Sequence, residues 1–520
     1  MNKKTAFYGL FLLVILIALL FRLFQLDLRP MHHDEANQAV KFGILLEQGE
    51  YRYDRSEHHG PTLYYLSLPF AWIASGTSFS ALSEVTLRLL PVIFGVGIIL
   101  LFLLFKDEFS LEATVFSGIL AAVSPAMVFY SRFYIQETLL VFFLVGAVAA
   151  SWQYSRTRSP YWAAAAGFFF GMMFATKETC IIAFGAMLAA LILALISLKK
   201  RSQPKDTPPM PKTSHLFIFL GTGFLISLLL YSSFFQNPKG ILDSMLAFGS
   251  YFNRAGSAGF HSHPLYYYLK MLAFSQYGNG PVWSEALILV LALIGGLAAF
   301  RPLSDGESSP FFIRFVTFYT LLSTAAYSLI PYKTPWNMLP FYIGFILLAG
   351  HGSAFLLKIN KKLTFRAAVV LVLGLGIFHL GMQSYRSNFK FYADSRNPYV
   401  YAHTSTDFLN LVKRINELAP LHPDRNLMLI KVITQPDEAW PLPWYLREFG
   451  RVGYWQEVDE AGAVADVPLI ISALDKTIQL LTYLEDNHIL EYYELRPGIL
   501  LALYIEQNLW DTFLQEKKVK

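Results

Sequence analysis

The stretch MNKKTAFYGLFLLVILIALLFRLFQLDLRPMHHDEA (residues 1–36) begins with two lysines, continues as a long apolar run and ends on ionisable residues. Crossing the ~30 Å hydrocarbon core of a membrane takes about 20 mostly apolar residues. Residues 5–26 meet this requirement, and they are not followed by the small-residue cleavage site of a signal peptide. We therefore predict that this segment is a retained membrane anchor.

The whole chain shares this apolar character. Of its 520 residues, 54% are hydrophobic, 16% aromatic and 15% charged, whereas soluble proteins carry about 25% charged residues. This composition excludes a disordered chain, a coiled coil and an ordinary cytosolic enzyme. A single cysteine, Cys180, excludes an intramolecular disulfide framework. The net charge of +5 comes without basic runs, which argues against a nucleic-acid partner. These exclusions leave a multi-pass membrane protein.

Eleven apolar segments predict membrane spans, which makes the protein a multi-pass protein of the cytoplasmic membrane. Lys and Arg are about threefold denser in the loops on the side of the N-terminus than in the opposite loops. Basic loops stay in the cytoplasm, so we predict a cytoplasmic N-terminus and, from the odd number of spans, an extracytoplasmic C-terminal region. The predicted spans are 5–26, 85–105, 113–130, 137–153, 161–176, 179–198, 215–235, 284–300, 315–331, 337–357 and 367–384.

The predicted fold is an all-α polytopic bundle followed by an extracytoplasmic α/β domain. The bundle covers residues 1–384, with long outer loops at 27–84 and 236–283, and the soluble domain covers 385–520. The tail has fourteen Lys and Arg against nineteen Asp and Glu, a net charge of −5, while the rest of the chain is +10. It alternates helix-like with strand-like runs, as α/β domains do. The helix-like runs are 407–418 and 477–485, and the strand-like runs are 427–433, 467–473 and 499–505.

Two adjacent carboxylates, Asp34 and Glu35, follow the first span directly. In a partly dehydrated pocket, neighbouring carboxylates push their pKa values apart, so that one can act as a base near neutral pH. The alternative is an ordinary solvated turn. Further ionisable groups lie at the outer ends of predicted spans, where proximity to the apolar core makes them functional candidates. Snorkelling at the membrane interface is the alternative for the cations. These groups are Arg132, Glu137, Lys177 and Lys333.

A pair of histidines, His261 and His263, lies in the second long outer loop. Together with a carboxylate from another loop they could hold one divalent cation, zinc or a similar ion. Structural hydrogen bonding is the alternative, because the spacing matches no zinc motif. The chain has no phosphate-binding glycine loop, so we expect no nucleotide cofactor.

An ordered set of motifs resembles the membrane glycosyltransferases with the GT-C fold. That superfamily includes the polyprenyl-phosphate-mannose protein mannosyltransferases and the aminoarabinose transferases, and it is related to glycosyltransferase family 39. The nearest resemblance is to its flippase-activity-associated branch. The motifs are His33-Asp34-Glu35-Ala36, Tyr51-Arg52-Tyr53-Asp54 with His59-Gly60-Pro61, Lys333-Thr334-Pro335-Trp336 and Trp440-Pro441-Leu442-Pro443-Trp444-Tyr445-Leu446-Arg447.

The resemblance implies residue roles. Asp34 would be the general base, with Glu35 beside it, and Glu137 would take the second acidic position. Glu57 and His263 lie near the positions that hold a metal in the aminoarabinose transferases. This chain has His59-Gly60-Pro61 where those enzymes carry Lys-Pro-Pro, and Glu137 where they carry Asp. The residues expected to line the acceptor pocket are His33, Tyr53, His59 and Trp336.

The function predicted from these observations is transfer of a sugar from a polyprenyl-phosphate donor to a hydroxyl acceptor on the outer face of the membrane. The acceptor is a protein, a lipid or a glycan, and membrane lipid surrounds the enzyme. Arg132, Lys177 and Lys333 would neutralise the departing phosphate. The alternative is a flippase, or a partner of one, that moves lipid-linked sugars without chemistry. Flippases need coupling groups near the bilayer midplane, whereas the unusual polar groups here gather at one face.

Overall fold

The computed structural model describes residues 3–55, 59–199, 210–255, 261–301, 310–484 and 487–519. Up to Tyr385, the described residues form helices joined by loops and turns. They are α1 (Lys3–Leu23), α2 (His33–Gln48), α3 (Thr62–Ser75), α4 (Glu84–Leu101), α5 (Lys106–Phe109), α6 (Leu111–Val123), α7 (Pro125–Tyr130), α8 (Glu137–Thr157), α9 (Pro160–Phe174), α10 (Cys180–Lys199), α11 (Thr213–Tyr231), α12 (Gly240–Ala255), α13 (Tyr267–Ala273), α14 (Ala286–Ala298), α15 (Pro310–Leu329), α16 (Leu339–Ile359) and α17 (Leu363–Tyr385).

Each predicted span coincides with one helix, except that the third is divided between α6 and α7 at Ser124-Pro125. Proline has no backbone N–H to continue a helix, so the chain begins a new one there. Within the described residues, seven helical segments are long and apolar enough to cross a membrane, which supports a multi-pass membrane protein. The count of eleven spans stays a prediction. The seven segments are Lys3–Leu23, Glu84–Phe109, Glu137–Thr157, Cys180–Leu198, Thr213–Tyr231, Pro335–Ile359 and Leu363–Lys390.

The bundle helices approach closely where small residues face one another. A Cβ atom added to Gly295 on α14 would lie 2.0 Å from the carbonyl oxygen of Leu348, and one on Gly352 of α16 would lie 2.1 Å from that of Leu291. These distances leave no room for a side chain, so the two helices pack backbone to backbone. Membrane helices commonly associate through such small residues.

The tail forms a mixed five-stranded sheet with strand order β2-β1-β3-β5-β4. Strand β1 is parallel to β2 and β3, and β5 is antiparallel to β3 and β4. Its central strands are buried on both faces between two apolar clusters made of tail residues. The elements are α18 (Phe408–Leu418), β1 (Ile430–Ile433), α19 (Leu442–Tyr445), β2 (Val452–Trp455), β3 (Leu469–Ala473), α20 (Thr477–Leu484), β4 (His488–Arg496), β5 (Ile499–Glu506) and α21 (Gln507–Val519).

The tail also packs against the first long loop of the bundle. Trp444 Nε1 donates to Glu84 Oε1 at 2.9 Å, and the Met31 backbone N–H donates to the Tyr445 hydroxyl at 2.9 Å. Thr404 Oγ1 donates to the Met31 carbonyl at 2.7 Å. The segment that carries Asp34 is therefore held from the tail side as well as from the bundle.

Candidate active site

The two carboxylates after the first span begin helix α2 and point in different directions. His32 caps the helix: its Nδ1 accepts from the Asp34 backbone N–H at 2.9 Å, and its own N–H donates to Glu35 Oε2 at 3.2 Å. This is a reciprocal capping arrangement, which satisfies N–H groups that a helix start leaves unpaired. The Asp34 side chain remains 42% exposed, while Glu35 is completely buried.

Asp34 lines a cleft of about 230 Å³. The walls of this cleft are the start of α2, the turns before α8 and α10, and the segment between α15 and α16. The predicted residues Asp34, Glu137, Lys177, His59 and Trp336 all reach it. Its polar and aromatic lining includes Asp34, Asn37, Gln38, Arg55, His59, Gln136, Glu137, Lys177, Glu178, Thr179, Tyr327, Tyr332, Thr334, Trp336 and Asn337.

One wall of the cleft carries a buried ion pair between Lys177 Nζ and Glu137 Oε1. The side chains are only 6% and 3% exposed. Burial disfavours the charged ammonium group, but the Glu137 carboxylate outweighs it and holds the pKa of Lys177 above its ordinary value. The cleft lining therefore includes an ammonium group that is held in place by an ion pair.

A second pair joins His59 Nδ1 to Glu178 Oε2 at 2.8 Å. The Tyr53 hydroxyl also donates to Glu178, at 3.3 Å, from outside the cleft lining. Burial would raise the pKa of Glu178, but the imidazole of His59 and its hydrogen bond hold it below the ordinary value. This pairing requires Gly60, because a Cβ there would lie 2.1 Å from the Ala175 carbonyl oxygen. The His59-Gly60-Pro61 motif thus brings its loop against the turn that carries Glu178.

The two predicted metal-binding histidines share the hydroxyl of Tyr401. His261 Nδ1 lies 2.8 Å from it and His263 Nε2 lies 3.4 Å from it. Among the described ranges no group of three His, Cys, Asp or Glu side chains could hold a metal ion, and Glu57 lies outside those ranges. Because the third predicted ligand is not among the described residues, the divalent ion stays a prediction and no chemical step passes through it.

Lys333 contacts the backbone of this same region. Its ammonium group donates to the carbonyls of Ile330 at 2.5 Å and His263 at 3.0 Å, and burial lowers its pKa. Its neighbours Tyr332 and Thr334 line the cleft. Lys333 is therefore placed to hold the His263 loop against the cleft wall rather than to face a phosphate.

Like Tyr53, Lys333 and the two histidines of the second outer loop, three further predicted site residues lie outside the cleft lining. Both Glu35 oxygens bind Arg88, at 2.8 and 2.7 Å, and Oε1 also accepts from the Tyr134 N–H at 2.9 Å. His33 lies beside Trp440 of the tail, with 5.8 Å between ring centroids. Arg132 caps the end of α1. Its guanidinium donates at 2.7–3.1 Å to the carbonyls of Phe21, Arg22, Phe24 and Gln25.

These contacts correct two predicted roles. The Glu35 carboxylate is completely buried against Arg88 and does not line the cleft, which does not fit a direct catalytic role. Arg132 is likewise directed to backbone oxygens and not to the cleft. Glu35 was predicted because it adjoins Asp34, and Arg132 because it lies at the outer end of a predicted span. Neither position in the sequence indicated where the side chain points.

Several residues of the site were not predicted. Glu178 could have been found from its place beside Lys177, between two spans. Tyr401 had no local signal, because it lies in the segment between α17 and the first helix of the tail, α18. The buried carboxyl of Glu285 was also missed; it accepts from Ser124, Tyr342, Tyr399 and the Ala126 N–H at 2.5–3.0 Å.

Comparison with known proteins agrees with this architecture. Residues 67–248 match the family of dolichyl-phosphate-mannose-protein mannosyltransferases. The solved structure of ArnT from Cupriavidus metallidurans bound to undecaprenyl phosphate is similar over 95% of this chain and 98% of that one, with a TM-score of 0.63 and 14% identity. The chain has the GT-C glycosyltransferase fold. The predicted resemblance to this fold is thereby confirmed, and the nearer likeness to the flippase-activity-associated branch stays a prediction.

Two further solved structures share this fold. The oligosaccharyltransferase AglB of Archaeoglobus fulgidus, in complex with an inhibitory peptide and a dolichol-phosphate, matches 98% of this chain and 77% of its own, with 14% identity and a TM-score of 0.55. The S. cerevisiae protein O-mannosyltransferase complex Pmt1-Pmt2, bound to its sugar donor, matches 79% and 92%, with 10% identity and a TM-score of 0.57. No curated protein matches the chain by sequence.

Proposed function

We propose that the protein transfers a sugar from a polyprenyl-phosphate donor to a hydroxyl acceptor on the outer face of the cytoplasmic membrane. The observation that carries this proposal is the cleft that is lined both by the half-exposed Asp34 carboxylate and by the buried Lys177–Glu137 pair. A base and a cation in the lining of one cleft suit a reaction that takes up a proton from the acceptor and releases a phosphate from the donor.

In this reaction Asp34 acts as the general base. Its carboxylate accepts the proton of the acceptor hydroxyl, whose oxygen forms a bond to the anomeric carbon of the sugar. The bond between that carbon and the phosphate oxygen breaks, and polyprenyl phosphate leaves with the bonding electrons. Attack from the face opposite the phosphate inverts the configuration at the anomeric carbon.

Lys177 and Arg55 are the cations that line the cleft and would bind the phosphate. Lys177 would remain charged beside a bound phosphate, because the Glu137 carboxylate holds its pKa above the ordinary value. A cation that is already in place needs no rearrangement when negative charge develops on the leaving group. Trp336 and His59, at the other walls, would position the acceptor.

Two neighbours support the choice of donor. ArnT is bound to undecaprenyl phosphate and the yeast mannosyltransferase complex to its sugar donor. The sugar, the carrier and the acceptor of this chain are part of the proposal. No observation favours the flippase alternative.

The reaction is tested with purified protein and a panel of polyprenyl-phosphate sugars, scored by release of free polyprenyl phosphate. We expect release with at least one donor, and loss of release in the Asp34→Asn variant. A wild-type protein that releases nothing from any donor, or a variant as active as the wild type, would overturn the assignment.

The outer-face location is tested separately by labelling. A tag inserted at Ser202, between predicted spans, should be protected in intact cells, and a tag at the C-terminus should be accessible. Two tags with the same accessibility would overturn the proposed sidedness, since an odd number of spans requires opposite faces.

A further inference from the structure

A second cavity, of about 350 Å³, lies beside the cleft. Helix α13, the loop after it and the linker at 395–401 form its walls. Tyr401 lines this cavity, and its ring centroid is 5.9 Å from that of Trp336, which lines the cleft. His261 completes the partition, since its ring lies 4.7 Å from Tyr332 of the cleft and its Nδ1 contacts the Tyr401 hydroxyl.

Tyrosine is the dominant side chain of the second cavity. Tyr267 stacks on His263 with 4.3 Å between ring centroids and 17° between planes. Tyr266 is 61% exposed and Tyr277 is 42% exposed, which are high values for large aromatic side chains. The remaining polar lining includes Lys270, Ser275, Gln276, Ser395 and Asn397.

Hydrogen bonds hold the backbone around the cavity in place. Ser275 and Trp283 exchange two backbone hydrogen bonds of 2.9 and 2.8 Å. Trp283 Nε1 donates to the Arg396 carbonyl at 2.8 Å, which ties the loop to the linker. Asn397 Nδ2 donates to the carbonyls of Ser387 and Phe391 at 3.0 and 2.9 Å. A preformed cavity of this size lies within the range of small-ligand sites.

We propose that this cavity binds the acceptor and that the acceptor is a carbohydrate, an inference that rests on the proposed transferase function. A sugar ring has a flat face of C–H groups and a rim of hydroxyls. Tyrosine matches both, because it has a flat apolar face and a polar edge. One lysine, Lys270, among neutral polar groups suits a neutral or weakly charged sugar better than a phosphate.

The position of the cavity relative to Asp34 supports the same inference. Asp34 lines the same cleft as Tyr332 and Trp336, and these two rings contact His261 and Tyr401 of the partition. In the proposed complex, a sugar held on Tyr266 and Tyr277 would extend a hydroxyl past Tyr401 toward the base, and the donor phosphate would lie beside Lys177.

The experiment measures binding of methyl glycosides of the common hexoses and pentoses to the full-length protein by saturation-transfer NMR. The detergent must carry no sugar, since a maltoside would compete for the cavity. The double variant Tyr266→Ala/Tyr277→Ala is compared with the wild type. Its matched control is Tyr492→Ala, a half-exposed tyrosine on β4 of the tail sheet.

We expect the wild type to bind at least one glycoside. Binding should weaken about tenfold in the double variant and stay unchanged in Tyr492→Ala. Absence of glycoside binding to the wild type, equal binding by the double variant, or binding of a serine-containing hexapeptide that the double variant abolishes would overturn the carbohydrate site.

Failure of this inference and failure of the transferase proposal give different results. Glycoside binding that depends on the two tyrosines, without polyprenyl phosphate release from any donor, retains the cavity and rejects the transferase. Normal donor turnover together with unchanged acceptor KM in the double variant retains the transferase and rejects the cavity.

Discussion

The cleft around Asp34 and the sealed cluster around Glu35 are neighbouring regions with opposite physical character. Asp34 is 42% exposed and lines the cleft, whereas Glu35 is completely buried against Arg88. Successive helical residues project about 100° apart, so two adjacent acids at a helix start meet different surroundings. One carboxylate is available for chemistry, and the other fixes its position.

The sealed cluster explains how that position is maintained. Arg88 on α4 binds both oxygens of Glu35 and also donates to the carbonyls of Leu26 at 3.0 Å and Arg29 at 2.8 Å. It thereby joins α4, the connection after α1 and the start of α2. Buried charges are maintained only where they are fully paired, and here the pairing sets the direction of the Asp34 side chain.

The largest effect on turnover is expected from a substitution in the cleft. Asp34→Asn keeps the size of the side chain and the helix start but removes the base, so turnover should fall by about 10²–10⁴-fold. Thermal stability and donor binding should stay close to wild type, because the side chain is half exposed. Release of polyprenyl phosphate and calorimetric donor binding measure the two properties; normal turnover in a folded variant would assign the base to another residue.

The next effect is expected on the sealed side. Arg88→Met leaves the Glu35 carboxylate buried without its partner, and breaking such a pair destabilises a protein by about 3–5 kcal/mol. Thermal unfolding in detergent should show the loss. Arg52→Met is the matched control, because Arg52 also faces a carboxylate, Glu50, but at an exposed site, where ion pairs contribute about 0–1 kcal/mol. If the two substitutions lowered thermal stability equally, the buried Arg88–Glu35 pair would not differ in strength from the exposed Arg52–Glu50 pair.

Acid should weaken the same cluster. Burial raises the pKa of Glu35, but Arg88 outweighs it and holds the folded-state value below the ordinary 4.5. A lowered pKa contributes stability that is complete above the unfolded-state value and is lost as pH falls through the folded-state value. The stability advantage of the wild type over Glu35→Gln should therefore be constant above about pH 5 and shrink below it. An advantage that disappears nearer neutral pH would show that Glu35 is not held by Arg88.

The sequence predicted those features that depend on local pattern. Apolar length located a helix at every predicted span, and alternation located strands β1, β3 and β5. It missed β2, a short and partly exposed strand, and β4. A helix that coincides with a predicted span need not cross the membrane, so the number of membrane crossings stays a prediction.

The candidate site was predictable only in part, because its pairs are distant in sequence. Asp34, Glu137 and Lys177 stood out as ionisable groups beside apolar runs, and the cleft brings them together. Arg88 lies within an apolar helix, and nothing local distinguishes it as the partner of a residue 53 positions earlier. Tyr401 reaches His261 across 140 positions. Such contacts are set by packing, which a single sequence does not display.

The smallest effect is expected where the tail touches the loop between these two regions. Tyr445→Phe removes the acceptor of the buried Met31 N–H, and an unsatisfied buried donor costs about 1–3 kcal/mol. The control is Tyr454→Phe, a partly exposed tyrosine on tail strand β2, which should unfold like the wild type.

If the contact between Tyr445 and Met31 only joins the tail to the bundle, stability falls and turnover is unchanged in the folded fraction. We expect turnover to fall as well, because Met31 precedes the helix start that directs Asp34; unchanged turnover would mean that Arg88 alone positions the base.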